Sequence, residues 1–304
     1  GKVLVVASAG NTARAFARVC SDNNIPLLLC MPADTLDALW FDEPILPHVK
    51  LIVTGPGSDY FDAIRLSNLA CNIPGFLPEG GARNVARRDG MGTTVLSAAE
   101  AMGEIPEWYF QAVGSGTGAI AAWEANLRLL SDGRFGNRKM KLMVSQNEPF
   151  TPMADAWKRG SRELTLPDDA TARVQVAQIM ATVLSNRKPP YGISGGLFDA
   201  MMDAGGDFLT VSNESLMEAA DLFLSTEGND IHPAAAVAVA SLKKAVSEGR
   251  IPENDPVMVN ITGGGEARMK AEKPLFRMEP SVVFGLEPTQ SEVTERLAAL
   301  FKSL

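Results

Sequence analysis

The chain has 304 residues, 46% of them hydrophobic and 21% charged, the balance of an ordinary globular protein with room for one large domain or two joined ones. Its net charge of -8 repels phosphates and so excludes nonspecific binding to nucleic acid or anionic lipid, while a few local arginines still suffice for a small anionic substrate. Three scattered cysteines (Cys20, Cys30, Cys71) and two histidines (His48, His232) supply neither a disulfide framework nor a metal site.

Short apolar runs alternate with helix-length segments, which predicts α/β architecture with largely parallel sheets. Residues 2–7 read as a strand that starts at once, and 11–23 as a helix with Ala13, Phe16, Ala17 and Cys20 on one face. Strands follow at 26–31 and 49–54, then a helix at 59–71 and a short strand at 75–78. These steps describe a small βαβ domain over residues 1–82. A larger domain is expected over 83–304. It opens with a helix at 92–103 and a strand at 108–113, followed by a glycine-rich turn and a helix at 119–130. A strand at 141–146, a longer helix at 171–185, a strand at 208–211 and a helix at 213–225 come next. An alanine-rich helix at 233–248 has Pro233 in its first turn. Residues 257–261 read as a last buried strand, and 290–304 as a surface helix.

The chain opens on Gly1 in mid-sheet, which reads as a fragment whose N-terminal part is missing. No run of about 18 apolar residues and no basic-then-apolar leader occurs, so a cytoplasmic location is expected.

Three turns carry the chemical signals, each at the C-terminal end of a predicted strand, where ligands of open α/β sheets bind. In Gly114-Ser115-Gly116-Thr117-Gly118 the glycines let backbone N–H groups approach an anion, the following helix points its positive end there, and two hydroxyls add donors. The turn suits a phosphate monoester, and it also serves as a plain strand-to-helix connection. It lacks the Gly-Lys-[Ser/Thr] of an NTP-binding loop and the Gly-x-Gly-x-x-Gly spacing of a dinucleotide site. Ala7-Ser8-Ala9-Gly10-Asn11-Thr12 can hold a carboxylate, or simply cap a helix. Asn260-Ile261-Thr262-Gly263-Gly264-Gly265 lets a ring or phosphate lie against backbone, or is a flexible exit. The three turns are expected to face one crevice.

In order and spacing these turns, with Glu227-Gly228 before Pro233-Ala-Ala-Ala, resemble the fold-type II pyridoxal-phosphate (PLP) enzymes, the tryptophan synthase β-like class of two three-layer αβα domains. Within that class the chain is similar to the archaeal cysteate synthases, threonine synthase-like enzymes of coenzyme M biosynthesis. The likeness is carried by ASAGNTARAF (7–16), PEGGARNVARRDGMG (78–92), YFQAVGSGTGAIAAWE (109–124) and NRKPPYGISGGLFDA (186–200), of which PEGGARNVARR is the most specific.

The resemblance implies replacement of the phosphate of O-phospho-L-serine by sulfite, giving L-cysteate and phosphate. It implies that Asn11 meets the PLP ring hydroxyl, that Gly114, Ser115, Gly116, Thr117 and Gly118 hold the PLP phosphate, and that Thr262 meets the pyridine nitrogen. Ser8, Ala9 and Thr12 would bind the substrate carboxylate. Arg83, Arg87 and Arg88, with Arg14 and Arg187, are candidates for the leaving phosphate and incoming sulfite, or else a solvated charged face. The family's Schiff-base lysine is expected upstream of Gly1, since neither Lys2 nor any later lysine stands in a matching motif, and no catalytic residue is assigned within these residues. No metal is implied, and copies are expected to form a homo-oligomer. Threonine synthase and O-phosphoserine sulfhydrylase activities remain as alternatives, as does a noncatalytic relic that binds phospho-amino acids.

Overall fold

In a computed structural model, which describes residues 1–8 and 10–301, the chain forms two units, Gly1–Glu79 with Arg268–Leu304, and Gly80–Ala267. In the first, β1 (Val3–Ala7), α1 (Asn11–Asp22), β2 (Leu27–Pro32), β3 (Trp40–Phe41), β4 (Val49–Thr54), α2 (Tyr60–Cys71) and β5 (Phe76–Pro78) follow in order. Period-two alternation sorts their side chains onto two faces. Leu27, Leu29 and Met31 of β2 pack with Ala13, Ala17 and Cys20 of α1, while Leu28 and Cys30 pack with Leu66 and Ala70 of α2. Both faces of β2 are thus covered, which is why it reads as an unbroken apolar run. Helix α2 starts where Asp59 accepts from the N–H of Phe61 at 2.9 Å and of Asp62 at 3.2 Å, and Asp62 answers by accepting from the Asp59 N–H at 3.0 Å. This reciprocal cap sets its first turn.

The second unit runs through α3 (Val85–Met102), β6 (Trp108–Ala112), α4 (Thr117–Asp132), β7 (Lys141–Asn147), α5 (Pro152–Lys158), α6 (Asp169–Gln178), α7 (Leu197–Ala204), β8 (Asp207–Val211), α8 (Asn213–Glu227), α9 (Pro233–Ser247) and β9 (Val257–Val259). Its parallel sheet has the order β8-β7-β6-β9. On one face α3, α4, α5 and α7 bury Tyr109, Val113, Leu142 and Val144. On the other, α8 and α9 cover Ala112, Phe110, Met143 and Leu209. After α10 (Glu266–Glu272), β10 (Phe276–Arg277) pairs with β3. Strand β11 (Val282–Phe284) then completes the first sheet, order β11-β4-β2-β1-β5 and parallel throughout, and α11 (Gln290–Leu300) follows. The expected α/β class, with three-layer units on largely parallel sheets, is what the chain adopts. Among the described residues no helix is long and apolar enough to cross a membrane.

Several details differ from the sequence reading. The expected single cut at residue 82, with everything later in the larger domain, gives way to a return of the chain into the first unit. The reason is hydrophobic: Val282 and Phe284 of β11 and Val293 and Leu297 of α11 are buried in the first core, so the expected surface helix is half core. Residues 171–185 do not form one helix. Asn147 Oδ1 accepts from the Ala181 N–H at 3.0 Å and Asn213 Oδ1 from the Met180 N–H at 3.1 Å, taking donors a continued helix would need. The helix expected from residue 92 begins at Val85, because Asn84 accepts from the Arg87 N–H at 3.1 Å and caps it. The strand expected to be buried, β9, lies at the sheet edge and is half-exposed.

Candidate active site

The glycine-rich turn joins β6 to α4, and each of its glycines has a spatial reason. Gly116, at φ +79, precedes the helix in a left-handed conformation that a side chain resists. A Cβ on it would also lie 2.7 Å from Leu197 Cδ2. A Cβ on Gly114 would meet Leu184 Cα at 3.1 Å and the Val183 carbonyl oxygen at 3.2 Å, and one on Gly118 would meet Gln111 Nε2 at 2.3 Å. The turn is therefore walled on three sides. Ser115 Oγ and Thr117 Oγ1 lie 2.8 Å apart, and the Thr117 N–H reaches Ser115 Oγ at 3.4 Å. Among the described residues the N–H groups of Gly118 and Ala119 have no acceptor. The result is a helix N-terminus with open donors, two hydroxyls and the positive end of the helix dipole, the donor set a phosphate monoester requires.

Beneath the turn runs a buried polar chain that the sequence reading did not identify. Asn260 Nδ2 donates to Tyr109 Oη at 2.7 Å, and Tyr109 Oη donates to Gln111 Oε1 at 2.7 Å. Tyr109 is fully buried and Gln111 is 6% exposed. Burial pushes the Tyr109 hydroxyl above the usual phenol range, against the opposing effect of the Asn260 hydrogen bond, so it stays protonated and keeps donating. Asn260 continues from β9, its own N–H bonded to the Phe110 carbonyl at 2.9 Å. Thr262 follows in a loop pinned from the other side: the His232 N–H donates to the Gly263 carbonyl at 2.9 Å and the Gly265 N–H to Asp230 O at 2.8 Å.

In the first unit, Ser8 closes the end of β1. Its Oγ accepts from the N–H of Gly10 at 3.4 Å and of Ala13 at 3.2 Å. Asn11 and Thr12 open α1, and Arg14 donates to Asn11 Oδ1 at 3.3 Å and to the Trp40 carbonyl at 2.9 Å. The guanidinium carbon stands 3.3 Å from the Trp40 ring centroid, so Arg14 is stacked and held. Ala9, expected at the substrate carboxylate, lies outside the described residues.

A sequence profile described as pyridoxal-phosphate dependent enzyme matches residues 1–263. The cysteate synthase of Methanosarcina acetivorans is 49% identical over 284 residues, 93% of this chain and 68% of that protein. That of Methanocella arvoryzae is 50% identical over 286 residues, 92% and 67% respectively. The chain belongs to the cysteate synthase family of pyridoxal-phosphate dependent enzymes. A PLP-dependent aspartate racemase shares the fold with a TM-score of 0.63 at 15% identity, covering 90% of this chain and 76% of that one. So does maize serine racemase, with a TM-score of 0.59 at 13% identity, covering 99% and 77%.

The residues present fit the family's cofactor at its phosphate end, since the open N–H groups of Gly118 and Ala119 and the hydroxyls of Ser115 and Thr117 gather at the start of α4, on a turn whose glycines let Leu184, Leu197 and Gln111 pack directly against it. Of the cysteate synthase-like arginines, Arg88 is engaged. It donates to both Glu124 oxygens, at 2.9 Å and 3.0 Å, and to the Ala82 carbonyl at 2.6 Å. Arg187, with a side chain only 2% exposed, pairs with Asp169. Arg83 is exposed and Arg87 half-buried. Ser8, Asn11, Thr12 and Arg14 belong to the first unit, and Gly114–Gly118, Thr262, Arg83, Arg87, Arg88 and Arg187 to the second. Gln111 could have been found as the one strongly polar residue in the apolar run before the cradle, two positions after Tyr109 and so on the same strand face.

Proposed function

We propose that this chain replaces the phosphate of O-phospho-L-serine by sulfite, giving L-cysteate and inorganic phosphate. Identity of 46–50% to cysteate synthases over at least 90% of the chain carries the reading, and the cradle at α4 supports it. The Cβ–O bond to the phosphate breaks, a Cβ–S bond to sulfite forms, and the phosphate leaves with the bonding electron pair.

When bound, PLP supplies the electron sink that makes the substrate α-proton removable. The chain's part is binding and orientation. The Gly118 and Ala119 N–H groups and the Ser115 and Thr117 hydroxyls grip the cofactor phosphate. The Thr262 hydroxyl would be a neutral hydrogen-bonding partner for the cofactor's pyridine nitrogen. Asn11 is the partner of the ring hydroxyl, with its Oδ1 held by Arg14. Ser8, Ala9 and Thr12 take the substrate carboxylate. Arg83 and Arg87 supply positive charge for the leaving phosphate and arriving sulfite, while Arg88, locked to Glu124, shapes their segment. Small anionic substrates, a cytoplasmic location and a homo-oligomer belong to the same reading.

The test takes the protein as its own reading frame encodes it, with PLP and O-phospho-L-serine, and offers sulfite, sulfide or water in separate reactions. Mass spectrometry should find cysteate with sulfite, with phosphate released in equal amount. Cysteine from sulfide without cysteate from sulfite makes it a sulfhydrylase. Threonine from O-phosphohomoserine and water, offered in a parallel reaction, makes it a threonine synthase. Ligand-induced stabilisation with no product from any nucleophile makes it a binding protein.

A further inference from the structure

We propose that Gln111 is a further residue of the cofactor's phosphate end, its amide N–H presented to the first turn of α4 by the buried relay Asn260–Tyr109–Gln111. The inference rests on the reading of Gly114–Gly118 as a phosphate cradle and adds to it a side chain from the strand below.

The hydrogen-bond directions make the case. Asn260 Nδ2 is a donor, so Tyr109 Oη accepts from it and passes its own proton to Gln111 Oε1. With Oε1 taken, the other end of the Gln111 amide is a pure donor. The whole amide packs against Gly118, with Nε2, Oε1 and Cδ 2.3, 2.6 and 2.8 Å from where a Gly118 Cβ would be, which puts Nε2 within roughly 4 Å of the Gly118 Cα, given a C–C bond of about 1.5 Å. Among the described residues Nε2 has no protein acceptor, and it is not one of the fully buried unpartnered side-chain atoms, so this end of the 6% exposed Gln111 keeps contact with solvent.

A donor is thus set against the open N–H groups and positive end of a sixteen-residue helix. Donor against donor is repulsive in a bare protein, and it becomes favourable when an anion sits between them and accepts from both. The relay has a second consequence. Asn260 stands two residues before Thr262, so the Tyr109 hydroxyl ties the loop carrying Thr262 to the strand end that carries the cradle. Tyr109 and Asn260 are positioning residues in this scheme, acting through Gln111.

Pyridoxine 5'-phosphate and pyridoxine serve as probes, since they differ only in the phosphate and neither forms a Schiff base. Calorimetric titration of wild type should show a clear preference for the phosphorylated ligand. In Gln111→Glu a carboxylate replaces the amide donor. Affinity for pyridoxine 5'-phosphate should fall at least about tenfold, with pyridoxine binding changed less than about twofold. Gln111→Met, similar in volume and uncharged, should fall between wild type and the glutamate variant. Tyr109→Phe should cut the preference for the phosphorylated ligand by a few fold, with pyridoxine binding changed less than about twofold.

If both ligands weaken in parallel in Gln111→Glu and Gln111→Met, the residue has a structural role only and the proposal is overturned. If the variants bind pyridoxine 5'-phosphate like wild type, it is overturned as well. If wild type itself shows no preference for the phosphorylated ligand, the phosphate reading of the cradle fails first, and the Gln111 assignment goes with it.

Discussion

Two strand-to-helix turns in this molecule look alike in sequence and are built on opposite principles. In the first unit a serine at the end of β1 supplies an acceptor to N–H groups at the start of α1. Gly10 has an extended backbone, φ -163, and Ser8 Oγ takes the N–H of Gly10 and of Ala13. In the second unit the turn from β6 into α4, whose leading Gly116 like Gly10 has no side-chain cap, lets Ser115 Oγ take only the Thr117 N–H at 3.4 Å and leaves the Gly118 and Ala119 N–H groups open. Its shape is imposed by neighbours, with Leu184 against Gly114, Leu197 against Gly116 and Gln111 against Gly118. A turn whose serine accepts from N–H groups at the helix start is steadied without a ligand and still offers a hydroxyl proton. One held open from outside keeps its donors for an anion, with rigidity supplied by the walls.

The contrast breaks most directly at Gly118. A Cβ there would stand 2.3 Å from Gln111 Nε2, and both groups belong to packed elements. Gly118→Ala is expected to cost about 2–3 kcal/mol of stability, read from urea unfolding. Affinity for pyridoxine 5'-phosphate should fall by more than the unfolding loss alone accounts for. Next comes the wall behind Gly114. Asn147, 1% exposed, accepts from the Ala181 N–H and donates to the Val211 carbonyl at 3.0 Å, fixing the segment that ends at Leu184. Asn147→Ala strands these buried groups and should cost about 2 kcal/mol. Its phosphate affinity should fall too, although residue 147 touches no glycine of the cradle.

These walls show where sequence reading stops. Most strands of the two larger sheets were legible because unbroken apolar runs such as Leu27–Pro32 have few other uses, and the glycine turn because three glycines in five residues demand a reason. Family membership was legible from ASAGNT and PEGGARNVARR. The return of residues 282–300 into the first unit was not, since pairing β11 beside β4 is a contact across more than two hundred residues that no local period announces. The early stop of α6 depends on Asn147 and Asn213, each distant in sequence from the N–H it captures. Arg88, a candidate for the leaving phosphate and incoming sulfite or else part of a solvated face, is held by Glu124, 36 positions on, a pairing that no local pattern announces. Local pattern reveals which groups can act, and long-range packing decides which of them are already engaged.

The turn of the first unit gives a smaller, complementary result. Ser8→Ala removes the acceptor for two N–H groups and should cost about 1 kcal/mol, measured by thermal unfolding without ligand. The same change should raise KM for O-phospho-L-serine, while the affinity for pyridoxine 5'-phosphate stays within about twofold of wild type. Ser115→Ala should do the reverse, costing little stability and weakening the phosphorylated ligand. If Ser8→Ala lost cofactor phosphate affinity as strongly as Ser115→Ala, the division of labour between the turns would be wrong.

The smallest effect concerns the wall behind Gly116. Tyr191 accepts from the Phe198 N–H through its carbonyl at 3.1 Å and so anchors the start of α7, whose Leu197 meets Gly116. Its hydroxyl is buried without a hydrogen-bond partner, and burial pushes it up to about 12, with Arg162 and Arg159 acting in the opposite direction. An unpaired buried hydroxyl is a cost without return, so Tyr191→Phe should leave stability unchanged or raise it by up to about 1 kcal/mol at neutral pH. The sign of the pH dependence follows from the raised value. Below about pH 10 the phenol is neutral in both folded and unfolded chains and contributes nothing to the slope. Between that point and about 12 the unfolded chain releases its proton first, so wild type loses stability that the phenylalanine variant keeps. Urea titrations at pH 8, 10 and 11 should show the gap between the two proteins widening with each step. A constant gap would mean that solvent reaches the hydroxyl in the folded protein, and that this wall of the cradle is looser than its packing against Phe198 and Phe208 implies.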